Sequence, residues 1–320
     1  MLHRYTSVLI ISLARQNPSD LNRTPPSSAL LSWVTHWQSR GVSPTPAAFK
    51  LHRVDCVPST NARLWHQMAT QAATTPQSGV ALIACRQSAG RGQWGRQWHS
   101  PLGGLYLSAA LPTLQGTRGE SLMLSCAWGI ATALRQFGVQ VKLKWPNDLV
   151  IGTQKLGGML LETRLSGAAI TKAVIGVGIN WRNAPPPGGI AIAQLKPSPA
   201  SAPLQSSIET LTAAVLTGIA VGNGRRLYQD IVEILPDYEA QMTHLGQTMT
   251  VNYQGRRSQG CIKGVTAAGQ LRIVINQIGV NQTAIQRLDR LEQTRIEPPL
   301  EITADAGSVH LSYDTIGDLL

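Results

Sequence analysis

Apolar positions along the chain recur with two periods, and each change of period marks an element. Between Asn61 and Thr70 they fall at helical spacing, with Thr60 or Asn61 placed to cap the start. Val80-Ala81-Leu82-Ile83-Ala84-Cys85 is an uninterrupted apolar run, the pattern of a buried strand, and Leu105–Leu111 is another. Ser121–Phe137 returns to helical spacing and stops at Gly138, a good residue just past a helix end. Short strands are predicted at Val141–Trp145 and Leu149–Ile151, then an extended stretch Lys155–Thr163 and a β-rich run Ala173–Ile179. Pro185–Pro203 is a Pro/Gly/Ser loop, and helices are expected over 206–220, 225–234 and 236–244. After Gly246 the pattern alternates, in Thr248–Tyr253, Ser258–Val265 and Leu271–Ile275.

This order predicts an α+β fold, with a mixed sheet of roughly five to seven strands backed by helices and a small β-barrel appended. The expected organisation is a poorly defined leader over 1–53, a main domain over 54–245, a small β domain over 246–293 and an acidic tail over 294–320. The leader is rich in Pro, Ser and Asn around one amphipathic patch, Leu30 to Trp37.

Composition narrows the class. Apolar residues make up 43% and charged residues 14%, which excludes a disordered or fibrous chain. The 28 basic residues against 17 acidic ones give +11, concentrated in the first hundred residues. That suits anionic partners without choosing among them. Cys56, Cys85, Cys126 and Cys261 stand far apart, with no zinc spacing, and read as free thiols of a cytoplasmic protein. No apolar run approaches the roughly 18–20 residues of a membrane span, so no membrane partner is expected.

The densest chemistry lies at Gly90-Arg91-Gly92-Gln93-Trp94-Gly95-Arg96-Gln97-Trp98-His99-Ser100-Pro101. Three glycines let backbone N–H groups approach a ligand, and two arginines supply donor forks for phosphate or carboxylate. Gly90, Gly92 and Gly95 match a dinucleotide fingerprint formally. Ser100-Pro101-Leu102-Gly103-Gly104, however, blocks the helix such a site requires. A Walker loop fails as well, because Arg96-Gln97 stands where Lys-Ser/Thr should. What remains is an anion-cradling loop of another kind. Downstream, Lys144-Trp145-Pro146-Asn147-Asp148, Lys155-Leu156-Gly157-Gly158 and Gly176-Val177-Gly178-Ile179-Asn180 each place polar or Gly residues at a strand end. Asn147 and Asp148 offer oxygen ligands of the kind Mg²⁺ takes, or simply an Asx turn.

Together with Ser59-Thr60-Asn61, Gln87 and Leu105-Tyr106, these motifs in this order resemble biotin–protein ligases, more specifically a biotin–[acetyl-CoA-carboxylase] ligase. The resemblance runs from about Val54 to Leu291. It implies a class II synthetase-like catalytic domain with an SH3-like C-terminal domain. It also implies an ATP- and Mg²⁺-dependent enzyme that makes biotinyl-5′-AMP, releases pyrophosphate, and passes biotin to one lysine of a biotin carboxyl carrier protein. By the resemblance, Ser59, Thr60, Gln87, Gly90, Arg91, Lys155 and Gly158 would hold biotin. Gly92, Gln93, Gly95, Arg96, Trp98, Lys144, Asn147, Gly176, Gly178 and Asn180 would meet the nucleotide. Arg91 and Lys155 would carry the catalytic positive charge, and Asn147 and Asp148 would take the metal.

Gln93 departs from the family's glycine loop, which often has arginine there, and removes one positive charge. Some family members carry an N-terminal winged helix-turn-helix and act as repressors. Residues 1–53 are too few and too Pro-broken for that domain, so DNA binding is not expected. A lipoate or octanoyl ligase or transferase of the same superfamily is the alternative reading.

Overall fold

The computed structural model describes residues 12–14, 49–70, 79–113, 118–253, 256–275, 300–306 and 308–309. The amphipathic patch Leu30 to Trp37 and the last ten residues of the acidic tail lie outside them. The chain divides into two compact units between Thr243 and His244.

In the first unit the strands are β1 (Ser12–Ala14), β2 (Lys50–Val57), β3 (Val80–Gln87), β4 (Leu105–Leu111), β5 (Lys142–Lys144), β6 (Asp148–Ile151), β7 (Gln154–Ser166) and β8 (Ala169–Ile179). They form one sheet in the order β1-β2-β3-β4-β8-β7-β6-β5. β1, β2 and β3 run parallel and the remaining neighbours antiparallel, so the sheet is mixed, as expected. β2 begins at Lys50, which takes into the sheet four residues that the pattern left in the leader. Its inward residues, Leu51 and Val57, are interrupted by charged exposed positions, and this hides the strand from a hydropathy reading.

Helix α1 (Thr60–Thr70) covers one face of the sheet. The opposite face carries α2 (Gly119–Gln136) and α4 (Ile208–Tyr228), with the short helix α3 (Ala202–Ser206) leading into α4. Every residue of α2 from Ser121 to Leu134 is buried, as a helix apolar all round demands when it lies between a sheet and a second helix. α4 runs unbroken where two helices were expected, because Gly222 marks a close approach instead of a break. A β-carbon on Gly222 would run into the Ser125 carbonyl of α2, and one on Gly129 would run into the Gly218 carbonyl. Glycine lets these backbones touch, and packing outweighs its poor helix propensity. Helix α5 (Ile231–Glu239) starts at Asp230, whose carboxylate accepts from the Val232 N–H, with Glu233 completing a capping box.

The second unit is a four-stranded antiparallel sheet among the described residues: β9 (Thr248–Tyr253), β10 (Arg256–Val265), β11 (Leu271–Ile275) and β12 (Leu300–Ala304), in the order β12-β11-β10-β9. β12 shows that part of the acidic tail expected over 294–320 belongs to this sheet. Ile302 and Ala304 are buried on one side of this strand, and Glu301 pairs with Arg272 at 2.9 Å across to β11. The tail's acidic composition masks that alternation.

Candidate active site

The sheet face beneath α1 is built from small and polar residues. On β4 and β8, Tyr106 lies opposite Gly178 and Ser108 opposite Gly176. On β7, Gly158 lies opposite Gly178 and Leu160 opposite Gly176. Side chains two apart share a face, so Gly158, Leu160 and Glu162 line the same side as this pair of glycines. A β-carbon on Gly176 would collide with the Asn61 amide, and one on Gly178 with the Trp98 indole. The two glycines therefore let α1 and the Trp98 ring settle directly onto the strand.

Thr60, the first residue of α1, and Gln87, the last of β3, are joined. The Thr60 N–H and hydroxyl donate to Gln87 Oε1 at 2.8 and 3.1 Å. Gln87 Nε2 donates to Ser100 Oγ at 2.9 Å, and the Ser100 hydroxyl to the Trp98 carbonyl at 3.0 Å. Beneath them the buried Ser108 hydroxyl lies 2.8 Å from Thr60 Oγ1 and donates to Asn61 Oδ1. Ser59, Thr60 and Asn61 are all buried, the condition under which polar side chains are held in fixed orientations.

The glycine loop folds back on itself. Gly92 N–H donates to the Arg96 carbonyl at 2.7 Å, Trp98 N–H to the Gly90 carbonyl at 2.9 Å, and Arg91 bridges to Gln97. Trp94 takes the left-handed conformation, with φ 59, and stands 64% exposed. No helix follows, as the Ser-Pro-Leu-Gly-Gly segment requires. The chain enters β4, and the Tyr106 hydroxyl pins the turn by donating to the Pro101 carbonyl at 2.7 Å. Burial pushes that phenol well above its ordinary value, so it stays a donor.

Lys155 enters the site from the start of β7. Its N–H donates to Gly188 at 2.9 Å, its carbonyl accepts from Ile190 at 3.0 Å, and Asn180 Nδ2 donates to that carbonyl at 3.4 Å. The Pro/Gly loop after β8 thus clamps the lysine backbone. The ammonium lies 2.6 Å from Asp148 Oδ1 and 5.4 Å from the centre of the Trp98 ring, a cation–π distance. The indole N–H of Trp98 is buried without a hydrogen-bond partner among the described residues. Asn180 is buried and accepts from Asn183 Nδ2 at 3.1 Å, which fixes its amide. Lys144, also buried, lies opposite Asp148 across β5 and β6.

Asn147 and Asp148, the expected metal ligands, are both engaged within the protein in this structure. Asn147 Nδ2 donates to the Met159 carbonyl at 2.7 Å, and the Asp148 carboxylate is already neutralised by Lys155. Among the described residues no group of three His, Cys, Asp or Glu side chains could hold an ion.

Most of the expected residues therefore meet around one sheet face. Thr60, Gln87, Gly90 and Trp98 belong to one hydrogen-bonded network, with Ser59 buried beside it, while Lys155, Gly158, Gly178 and Asn180 border it. Gln93, Gly95 and Arg96 sit on the outer bend of the loop, with Arg96 exposed.

The model of the biotin/lipoate A/B protein ligase family matches residues 54–180, the stretch that builds this face. The chain is 44% identical over 108 residues to the bifunctional ligase/repressor BirA of Escherichia coli, covering 32% of this chain and 33% of that protein. It is 35% identical over 121 residues to the biotin--[acetyl-CoA-carboxylase] ligase of Paracoccus denitrificans, covering 35% of this chain and 49% of that one. The matches thus span between a third and a half of these curated relatives. Among solved structures, the Aquifex aeolicus biotin protein ligase in complex with biotin and ATP superposes with a TM-score of 0.56 at 26% identity, over 70% of this chain and 91% of that chain.

Ser108 and Glu162 were not singled out from the sequence. Glu162 Oε2 accepts from Asn61 Nδ2 at 2.8 Å, Trp65 Nε1 at 3.3 Å and Arg91 at 2.9 Å. The signal was available: counting by twos from Gly158 places a carboxylate on the site face.

Proposed function

We propose that this chain is a biotin–[acetyl-CoA-carboxylase] ligase, joining biotin to ATP as biotinyl-5′-AMP with release of pyrophosphate. In a second step a lysine amine of a biotin carboxyl carrier protein attacks the mixed anhydride, forms the amide and releases AMP. The observation that carries this reading is the convergence of Thr60–Gln87, the Gly90–Arg96 loop and Lys155 on one sheet face, within the stretch that the family model matches. Relatives named as biotin ligases and a ligand-bound structural neighbour support it.

In this reading the Thr60–Gln87–Ser100 network offers polar groups to the ureido end of biotin, while Gly90 and Gly158 keep its wall thin. Ser59 belongs to the same buried corner. The first step brings a carboxylate against a phosphate, and the two repel. Arg91 and Lys155 supply the positioned positive charge that offsets this repulsion. Trp98 gives the adenine a flat partner, Gly176, Gly178 and Asn180 face the nucleotide, and Gly92, Gln93, Gly95, Arg96 and Lys144 surround its phosphates. In the second step the Lys155 ammonium stabilises the departing AMP. Among the described residues no cluster of three His, Cys, Asp or Glu side chains forms a metal site by itself. The small C-terminal unit, an SH3-like domain in this reading, engages the carrier protein. Free thiols among the described residues suit a cytoplasmic enzyme, and no described helix is long and apolar enough to cross a membrane.

Biotin-dependent exchange of labelled pyrophosphate into ATP, measured without carrier protein, tests the reading. Exchange that requires biotin supports it. Exchange with lipoate and none with biotin moves the chain to the acyl-ligase alternative, and silence with both overturns adenylation.

A further inference from the structure

Arg91 stands on the glycine loop as an exposed side chain, yet one nitrogen of its guanidinium is held 2.9 Å from Glu162 Oε2 on β7, seventy-one residues along the chain. The same carboxylate oxygen accepts from Asn61 Nδ2 and Trp65 Nε1 of α1. Trp65 is braced in turn by the Arg164 guanidinium, 4.9 Å from its ring centre. Glu162 therefore gathers the loop, the helix and the strand at one atom. Its single contact with Arg91 occupies one edge of a five-donor fork and leaves the rest to meet an anion.

We propose that Glu162 is a positioning residue for Arg91, holding the guanidinium against the sheet so that its remaining donors face the reacting carboxylate and phosphate. The kinetic part of this proposal rests on the adenylation reading, whereas the tether itself does not. Charge is what the role needs. Glutamine at this position keeps an acceptor oxygen for Asn61 and Trp65 and removes only the ion pair, so the surrounding packing survives.

The test compares the full chain with Glu162→Gln, Arg91→Ala and the double variant. Glu162→Gln is expected to lower kcat for biotin-dependent pyrophosphate exchange by about tenfold, with KM for biotin changed by less than about threefold. In the Arg91→Ala background the same substitution is expected to change the rate by less than about twofold, because its target is gone. Equal losses in both backgrounds, or no loss at all, overturn the catalytic part. Tryptic cleavage after Arg91 and Arg96 provides a readout independent of activity. It is expected to be severalfold faster in Glu162→Gln, and an unchanged rate overturns the tether. If the unaltered protein fails to exchange with biotin, the biotin reading falls and the cleavage rates alone decide whether the tether exists.

Discussion

The Lys155 ammonium lies 2.6 Å from the Asp148 carboxylate. A lysine held this way, with its backbone clamped by Gly188 and Ile190, is a fixed positive charge at the edge of the site. Lys155→Ala is expected to lower biotin-dependent pyrophosphate exchange by about a hundredfold or more, the loss typical of removing a preorganised charge partner. Circular dichroism should show an unaltered fold. Near-normal exchange would remove Lys155 from the chemistry.

Gln87 is half-buried and satisfied at both ends of its amide, by Thr60 and by Ser100. Gln87→Ala leaves the Thr60 donors with no partner at that end. Such a loss costs about 1–3 kcal/mol of stability, and removal of the amide from the wall offered to biotin is expected to weaken biotin affinity roughly fivefold or more. Titration calorimetry with biotin reads the change directly, and an unchanged Kd would detach this network from the ligand.

Two glycines of α4, only two residues apart, should respond to alanine with opposite signs. Gly222 touches the Ser125 carbonyl of α2, so Gly222→Ala overpacks the interface and is expected to destabilise by about 1–3 kcal/mol or more. A β-carbon on Gly224 meets nothing within 4 Å, so Gly224→Ala gains helix propensity and is expected to stabilise by about 0.5–1 kcal/mol. Urea midpoints of the two variants check the pair. Shifts of the same sign would mean that the helices do not pack through Gly222.

Gln93 lies in the single turn Gln93–Gly95 at the outer bend of the loop. Arginine there would add a positive charge near a bound adenylate, and Gln93→Arg is expected to slow the escape of biotinyl-AMP severalfold. A filter-binding or stopped-flow dissociation rate is the readout, and equal rates would show that the position does not reach the intermediate.

Cys126 is wholly buried in α2, and burial pushes its thiol up to about 12 despite the counteracting Arg226. Cys56 is exposed. Because the thiolate is the reactive form, alkylation of the native protein at pH 8 should label Cys56 and spare Cys126 until the chain unfolds. Mass spectrometry after a short iodoacetamide pulse separates the two, and early labelling of Cys126 would contradict the packing of α2 against α4.

Most strands of the mixed sheet, α1, α2 and the first three strands of the second unit were legible from periodicity, because the period of apolar positions reports which faces of an element leave water. So were the glycine loop and the strand-end motifs, whose residue types carry their chemistry wherever they stand. Tertiary structure alone decided four other matters. It ran α4 straight through Gly222, since a glycine that permits a close helix contact looks, in sequence, like one that ends a helix. It recruited Leu300–Ala304 as a strand of the second sheet, since a short alternation among acids gains its partner only from the fold. It gave Asp148 to Lys155 as an ion-pair partner. It also brought Glu162 beside Arg91. That last pairing depends on the order of strands in the sheet and on the register of β7 against β8. Local spacing encodes neither, because each is set by how the whole sheet closes over its core.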